Sequence, residues 1–169
     1  MRNSETLKIA PSGEREVMMT RVFDAPRQLV FDALTTPELI KRWLLGPDGW
    51  TMVVCTVDLR VGGAYRYVLR RDKDGTEMGW GGVYREISRP DRLVHTERFD
   101  ESWYGSEAVI TTALVEKQGR TTMTATILHE SKEALNKMLA SGMEKGVAMS
   151  YDRLEEVLAE VRQNSQHSA

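Results

Sequence analysis

The stretch GMEKGVAMSYDRLEEVLAEVRQ, residues 142–163, decides the fold of this chain. Its apolar residues recur at alternating steps of four and three: Val147, Tyr151, Leu154, Leu158 and Val161. That spacing places them on one stripe of an α-helix. Nearly all of residues 51–128 is predicted to form short strands, so the helix must bury its stripe on their sheet. The pattern therefore predicts an α+β fold.

Two interpretations of this helix stay open. In the first, the whole stripe is ordinary core. In the second, the N-terminal part around Met143, Val147 and Met149 closes a ligand cavity, while Leu154 and Leu158 pack on the sheet. Methionine is an adaptable side chain and small residues leave room beneath a helix, so the N-terminal half is the candidate cavity roof.

Size and composition indicate a single domain. The 169 residues match the length of one globular domain. The formal net charge of −2, from 23 basic and 25 acidic residues, gives no pull toward nucleic acid or an anionic membrane. The one cysteine, Cys55, fits a reducing compartment, and no apolar run has the length of a signal peptide or membrane span. We therefore expect a cytoplasmic protein.

The expected organisation is a flexible N-terminal arm over residues 1–13, one domain over 14–163 and a flexible tail over 164–169. Seven strands of an antiparallel meander are predicted, at 16–23, 50–59, 64–71, 77–87, 92–99, 107–116 and 120–129. Asp74-Gly75 and Gln118-Gly119 are the hairpin signals between two pairs of these strands.

Helices fill the remaining segments. Two short helices are predicted between the first and second strands, and the order is distinctive. Asp24 is the expected cap of the first, with Pro26 in its first turn, and a Thr-Thr-Pro-Glu sequence starts the second. Ser131 is the expected cap of a further short helix over residues 132–140, just before the long one.

Aromatic placement is the most informative functional pattern. All four tryptophans (Trp43, Trp50, Trp80 and Trp103) and four of the five tyrosines, Tyr104 among them, lie between residues 43 and 104. Tryptophan and tyrosine combine a large apolar ring with a hydrogen-bonding N–H or O–H group, which suits a pocket that offers both apolar contact and hydrogen bonds. The same side chains are also common in ordinary hydrophobic cores. The glycines flanking Trp80 indicate either a close backbone approach or a bend in the sheet.

Conventional catalytic and metal-binding patterns are absent from the sequence. His129-Glu130 begins like a zinc-protease helix, but Glu133 stands where the second histidine is required. With three histidines in the chain we expect no metal site and no other cofactor. Cys55 is interpreted as a structural thiol, and the basic residues between 66 and 73 as a solvated strand edge.

His95 and Glu97 form the one subtle candidate pair. Strict strand alternation puts both on one face with Leu93 and Phe99. Buried ionisable groups need partners and often have shifted pKa values, which makes them site candidates. We favour this face as the inner one because Arg98, on the other face, is costlier to bury than His95.

Several motifs then carry a family resemblance. They are the sequences RVFDAPRQLVFDALTTPELIKRW, WTMVVCTVDLRVGGAYRYV, DGTEMGWGGVYREISRPDRLVHTERF and SGMEKGVAMSYDRLEEVL. Together they resemble the START-like (SRPBCC) superfamily, and within it the bacterial proteins named after the activator of heat-shock-protein-90 ATPase. The resemblance spans residues 16–158.

The resemblance implies a helix-grip fold, in which a curved antiparallel sheet wraps a long C-terminal helix around an apolar cavity. Relatives bind lipids, polyketides and other hydrophobic molecules; some cyclise polyketides and some sequester reactive natural products. Because the motifs themselves look structural, the fold is specified and the ligand is not.

Three functions follow as hypotheses. The first is binding of a small hydrophobic ligand, aromatic or polyketide-like, with no catalytic residue assigned. The residues expected to line its cavity are Trp43, Trp50, Tyr65, Tyr67, Trp80, Tyr84, His95, Glu97, Phe99, Met143 and Val147. The second is a co-chaperone-like module in the stress response that acts on a heat-shock ATPase, with a protein partner or a second copy of the chain. The third is a cyclase or hydrolase using His95 and Glu97 as acid and base with a tyrosine as oxyanion donor.

Overall fold

A computed structural model describes residues 7–101 and 107–167. The eight strands are β1 (Lys8–Pro11), β2 (Glu16–Phe23), β3 (Trp50–Val57), β4 (Ala64–Arg71), β5 (Glu77–Ser88), β6 (Arg92–Phe99), β7 (Ala108–Lys117) and β8 (Arg120–Leu128). The four helices are α1 (Arg27–Thr35), α2 (Pro37–Trp43), α3 (Lys132–Ala140) and α4 (Met143–His167). Trp103 and Tyr104 lie outside the described residues.

The strands form one antiparallel, curved sheet in the order β1-β2-β8-β7-β6-β5-β4-β3. Strands β3 to β8 are a meander, and β2 returns beside β8 at the far side. The prediction of seven strands is wrong by one, because Lys8–Pro11, placed in the N-terminal arm, pairs with β2 from Lys8↔Thr20 to Pro11↔Val17. Residues 1–6 of that arm lie outside the described residues.

Both predicted hairpin turns are confirmed. Gly75 has φ 75°, and Gln118 and Gly119 have φ 55° and 75°. Gln118-Gly119 is a two-residue turn, and its left-handed angles match the twist of the strands that it joins. Gly75 is the left-handed residue of a longer loop over residues 72–76, in which its amide donates to the Arg71 carbonyl at 2.8 Å. The turns fix the register of β4 against β5 and of β7 against β8, and so fix which side chains face α4.

The short helices begin by different means. Ser131 caps α3 as predicted, since its Oγ accepts from the Ala134 amide at 3.0 Å. The predicted Asp24 cap is wrong: α1 begins at Arg27 with Pro26 at the N-cap and no side-chain cap. Asp24 lies near α4 instead, where its carboxylate is 3.6 Å from the Arg162 guanidinium.

The long helix α4 runs four residues beyond its predicted end, so the predicted tail from residue 164 is helical to His167. Its C-terminal half enters the main core through Leu154, Val157 and Leu158, which are at most 4% exposed. These side chains join a cluster that includes Phe23 and Phe31. No helix within the described residues combines the length and apolarity needed to cross a bilayer.

Buried charge also ties the helix to the sheet. Arg21 on β2 is fully buried, and its guanidinium lies 3.0 Å from the Asp152 carboxylate and 3.6 Å from that of Glu155. The guanidinium also lies over the Phe23 ring, 5.4 Å from its centroid. This contact holds the middle of α4 at a fixed position on the sheet.

Candidate functional site

A cavity of about 470 Å³ lies between the sheet and the N-terminal half of α4. Its volume is within the range of about 300–1,000 Å³ in which proteins bind small molecules. Strands β2 and β4 to β8 supply one wall, and the four helices with the Gly46-Pro47 segment after α2 supply the other. Most of the lining side chains are apolar or aromatic.

Nine of the eleven predicted cavity residues line this space: Trp43, Tyr65, Tyr67, Trp80, His95, Glu97, Phe99, Met143 and Val147. His95 and Glu97 are thus on the inner face of β6, as the alternation argument favoured. Gly146 and Ser150 of α4 also line the cavity, where their small side chains leave space.

Two predicted residues are placed elsewhere. Tyr84 is opposite His95 on the same inner face of the sheet, but it is buried in the main core and does not line the cavity; its ring is 5.5 Å from that of Tyr65 and 6.1 Å from that of His95. Trp50 stands on the edge strand β3 opposite Arg71, whose guanidinium is 5.5 Å from the indole centroid. Its position beyond the cavity end of β4 keeps it out of the lining.

Met149, expected in the cavity roof, faces away from it. It lines a separate polar cleft of about 440 Å³ together with Arg42, Asp48 and Arg153. At about 100° per residue, Met149 lies about 200° around the helix from Val147. The roof therefore consists of Met143, Gly146, Val147, Ser150 and Tyr151.

The aromatic side chains form a continuous chain along the cavity wall. Tyr65 and Tyr67 have ring centroids 5.0 Å apart, Tyr67 meets Trp80 edge-on at 5.6 Å, and Trp80 stacks on Phe99 at 5.4 Å. Packing of this kind adds stability beyond area burial and holds ring orientation. The wall presents fixed π faces to the cavity.

Glycine lets the neighbouring backbone come close to this wall. A Cβ at Gly82 would lie 2.0 Å from the Thr96 carbonyl oxygen, and one at Gly81 would lie 2.5 Å from the Tyr65 carbonyl oxygen. The close-approach interpretation of these glycines is confirmed. At Gly82 the approach lets Thr96 Oγ1 accept from the Val83 amide at 3.0 Å, which fixes β6 where His95 and Glu97 stand.

The orientation and tautomer of His95 follow from its contacts. The Tyr65 hydroxyl donates to the Thr96 carbonyl at 2.5 Å, so its oxygen is an acceptor toward His95. His95 Nδ1 lies 3.1 Å from that oxygen and 3.2 Å from the same carbonyl. With acceptors on both sides, Nδ1 carries the proton and Nε2 keeps its lone pair. Burial lowers the His95 pKa to about 4, so the ring is neutral near pH 7.

Glu97 is the carboxyl group of the cavity. Burial raises its pKa to about 7, because the loss of surrounding water disfavours the charged form. Its negative charge in turn raises the pKa of Tyr67 on β4 and of Tyr151 on α4, which places both phenols within electrostatic range. Burial is the larger cause for both tyrosines and takes the pKa of Tyr151 to about 12.

Strand β8 supplies cavity residues that the sequence reasoning missed. Met123, Ala125 and Ile127 line the wall at every second position, and His129 follows them. The period-two spacing was a readable signal for their shared face. Burial lowers the His129 pKa, so this ring too is neutral near pH 7.

Other candidate groups take structural positions. Within residues 7–101 and 107–167, no group of three histidine, cysteine or acidic side chains is arranged to hold a metal ion. Cys55 is half-buried on β3 with its Sγ 3.9 Å from the Pro37 carbonyl, and burial raises its pKa. Arg66 and Arg70 pair with Asp100 and Glu77 at the surface, as a solvated strand edge requires.

An antiparallel sheet gripping a long C-terminal helix around a cavity defines the class of START-like, helix-grip proteins. Within that class, the chain belongs to the family described as "Activator of Hsp90 ATPase homolog 1-like protein", which matches residues 24–159. The family and fold support a ligand-binding or co-chaperone-type domain. No curated protein matches the chain.

Solved structures agree with this assignment. A protein of Rhodobacter sphaeroides is 29% identical, with a TM-score of 0.86 over 92% of this chain and 99% of the other. One of Arthrobacter aurescens is 28% identical, with a TM-score of 0.80 over 92% of each chain. One of Nitrosomonas europaea is 26% identical, with a TM-score of 0.79 over 90% of this chain and 99% of the other.

Proposed function

We propose that this protein binds a small, predominantly hydrophobic molecule in the cavity between its sheet and α4. The observation that carries the proposal is the aromatic and aliphatic lining of a space of about 470 Å³. Transfer of an apolar ligand from water to such a wall is favourable by about 25 cal/mol per Å² of apolar surface removed from water. Aromatic ligands suit it best, because the Tyr67, Trp80 and Phe99 rings are already held by one another.

The same lining favours binding over catalysis. The Tyr65 hydroxyl is engaged with the Thr96 carbonyl, which removes it as an oxyanion donor. His95 has a pKa of about 4, so its free nitrogen is a weak base, and no nucleophile adjoins it among the described residues that line the cavity. A cyclase or hydrolase would need more than this pair supplies.

A filling substitution tests the proposal. Val147→Trp on the roof should occupy the cavity and lower the affinity for pyrene, a neutral aromatic fluorophore, on the order of tenfold or more. Val115→Trp is the matched control, because Val115 is 64% exposed and is not among the residues that line the cavity. Energy transfer from tryptophan to pyrene and titration calorimetry report binding, and thermal unfolding reports folding of both variants.

Two results would refute the proposal. One is that the unaltered protein does not bind pyrene or any other apolar probe of similar size. The other is that Val147→Trp and Val115→Trp bind it equally well.

A co-chaperone-type role is the alternative that the family leaves open. It needs a surface that a folded partner can touch, whereas most of the cavity lining lies between the sheet and α4. An ATPase assay with a bacterial heat-shock ATPase separates the two roles. Stimulation that survives Val147→Trp would favour the co-chaperone role over the proposal.

A further inference from the structure

The charges around the cavity are unbalanced. Glu97 is the one acidic side chain among the described residues that line it, and these include no lysine and no arginine. A buried carboxylate ordinarily has a cationic partner or several donors, because its loss of hydration is expensive. No protein hydrogen bond to the Glu97 carboxylate is found among the described residues. The cavity therefore contains an acid without a counter-charge.

His95 adds a second acceptor on the same strand face, two residues from Glu97. Its Nδ1 proton is directed at the Tyr65 hydroxyl and the Thr96 carbonyl, so Nε2 is the nitrogen that can accept. The Glu97 carboxylate and His95 Nε2 are both hydrogen-bond acceptors, and no charged donor among the described lining residues faces them. They therefore favour a ligand that carries hydrogen-bond donors and a positive charge.

Aromatic rings surround the same end of the cavity. Tyr67 and Tyr151 lie within electrostatic range of Glu97 from opposite walls, and Trp80 contacts the Tyr67 ring. Ring faces attract cations, and the attraction is strongest where water is excluded. A carboxylate flanked by rings is the chemistry with which proteins recognise ammonium groups.

We propose that the ligand is a hydrophobic amine, with its ammonium group between Glu97 and His95 and its apolar body on the aromatic wall. This inference rests on the proposed function and deepens it. The titratable groups that face Glu97 are His95 on its own strand, Tyr67 on β4 and Tyr151 on α4, and His129 lines the cavity beyond β8. All four are neutral near pH 7. The Arg21 guanidinium lies within electrostatic range of Tyr151, but it pairs with Asp152 and Glu155 and is not among the described residues that line the cavity.

Three ligands of matched shape test the inference: naphthylethylamine, naphthylethanol and naphthylacetic acid. Their affinities are measured by titration calorimetry at about pH 8, where Glu97, with a pKa of about 7, is mostly ionised. The amine should bind on the order of tenfold more tightly than the alcohol, and the acid should bind most weakly.

The substitution Glu97→Gln should bring the affinity ratio of amine to alcohol from about tenfold to within about twofold, because it removes the negative charge that pairs with the ammonium group. Thermal unfolding shows whether this variant folds. The exposed Glu14, in the turn before β2, provides the matched control: Glu14→Gln should keep the full preference.

The outcomes separate the two proposals. If the alcohol binds as well as the amine, or if Glu97→Gln leaves their ratio unchanged, the amine inference is overturned and the binding function stands. If none of the three ligands binds, the proposed function fails and the inference fails with it.

Discussion

The two halves of α4 differ although one amphipathic stripe runs through both. In the C-terminal half, Leu154 and Leu158 are buried in the main core. In the N-terminal half, Gly146, Val147 and Ser150 face a cavity. The same periodicity therefore provides stability in one half and space in the other. The size of the side chains along the stripe, and not their spacing, determines which half packs in the core and which half lines the cavity.

The boundary between the halves is marked by the Arg21 contact with Asp152 and Glu155. Residues beyond this point are held on the sheet by packing and charge. Before this point, Ser150 contacts the Gly46-Pro47 segment, where the Gly46 amide donates to Ser150 Oγ at 2.9 Å. Met143 and Val147 are partly buried against a second, smaller core cluster that includes Leu135. The comparison predicts that substitutions in the two halves affect different properties.

The largest effect is expected at the boundary. Arg21→Ala leaves Asp152 and Glu155 without their buried partner, and we expect it to lower the free energy of unfolding by about 3–5 kcal/mol. Urea titration measures the loss. Arg70→Ala, which breaks an exposed pair with Glu77, is the control and should change little. Equal small losses from both variants would mean that Arg21 does not anchor the helix.

The next effect compares the halves directly. Leu154→Ala should cost about 2–5 kcal/mol of unfolding free energy, because it leaves a cavity in packed core. Val147→Ala, which enlarges a space already present, should cost less than about 1 kcal/mol. The same urea titration compares them, and similar costs would contradict the division of α4 into a packed and an open half.

A pH dependence sharpens the description of the cavity. The Glu97 pKa is raised from 4.5 to about 7, so Glu97 costs stability as pH rises through that window. The His95 pKa is lowered from 6.5 to about 4, so His95 costs stability as pH falls through its own window. Each contribution is about 3 kcal/mol at most, and they oppose each other between about pH 4.5 and 6.5.

Single variants expose the two contributions. Relative to the unaltered protein, Glu97→Gln should gain stability as pH rises from about 4.5 to 7, and His95→Gln should gain stability as pH falls from about 6.5 to 4. Thermal unfolding across this range measures both, with Glu14→Gln as the control. Parallel curves for all four proteins would show that neither group is buried as described.

Local chemistry explains what the sequence could predict. Strands β2, β4 and β6 have their predicted bounds because turn residues punctuate them, and the Ser131 cap and the two hairpins rest on contacts between near neighbours in the chain. Nine of the predicted residues line the cavity, and alternation along β4 and β6 and helical spacing along α4 explain why most of them point inward. Alternation and helical spacing are reliable signals because an element can bury one face only if its apolar residues recur at that spacing.

The features that the sequence did not predict are mostly set by contacts between residues that are distant in the chain. Strand β1 pairs through its main chain, and Lys8–Pro11 has no alternating pattern to reveal it. The partners of Arg21 are on α4, which no spacing rule connects to β2. Met149 is predicted in the cavity roof because methionine is an adaptable side chain, but its angular position on the helix directs it into the polar cleft. Trp50 is an aromatic residue of the type that lines the cavity, but it is on β3, which contributes no described residue to the lining.

The central claim is that the N-terminal half of α4 covers a ligand-binding cavity and that its C-terminal half packs in the main core. Amide hydrogen exchange along α4, measured with and without saturating pyrene, tests it most directly. The account predicts that exchange slows across residues 143–151 and stays unchanged across 154–163. Slowing confined to 154–163, or equal slowing along the whole helix, would contradict it.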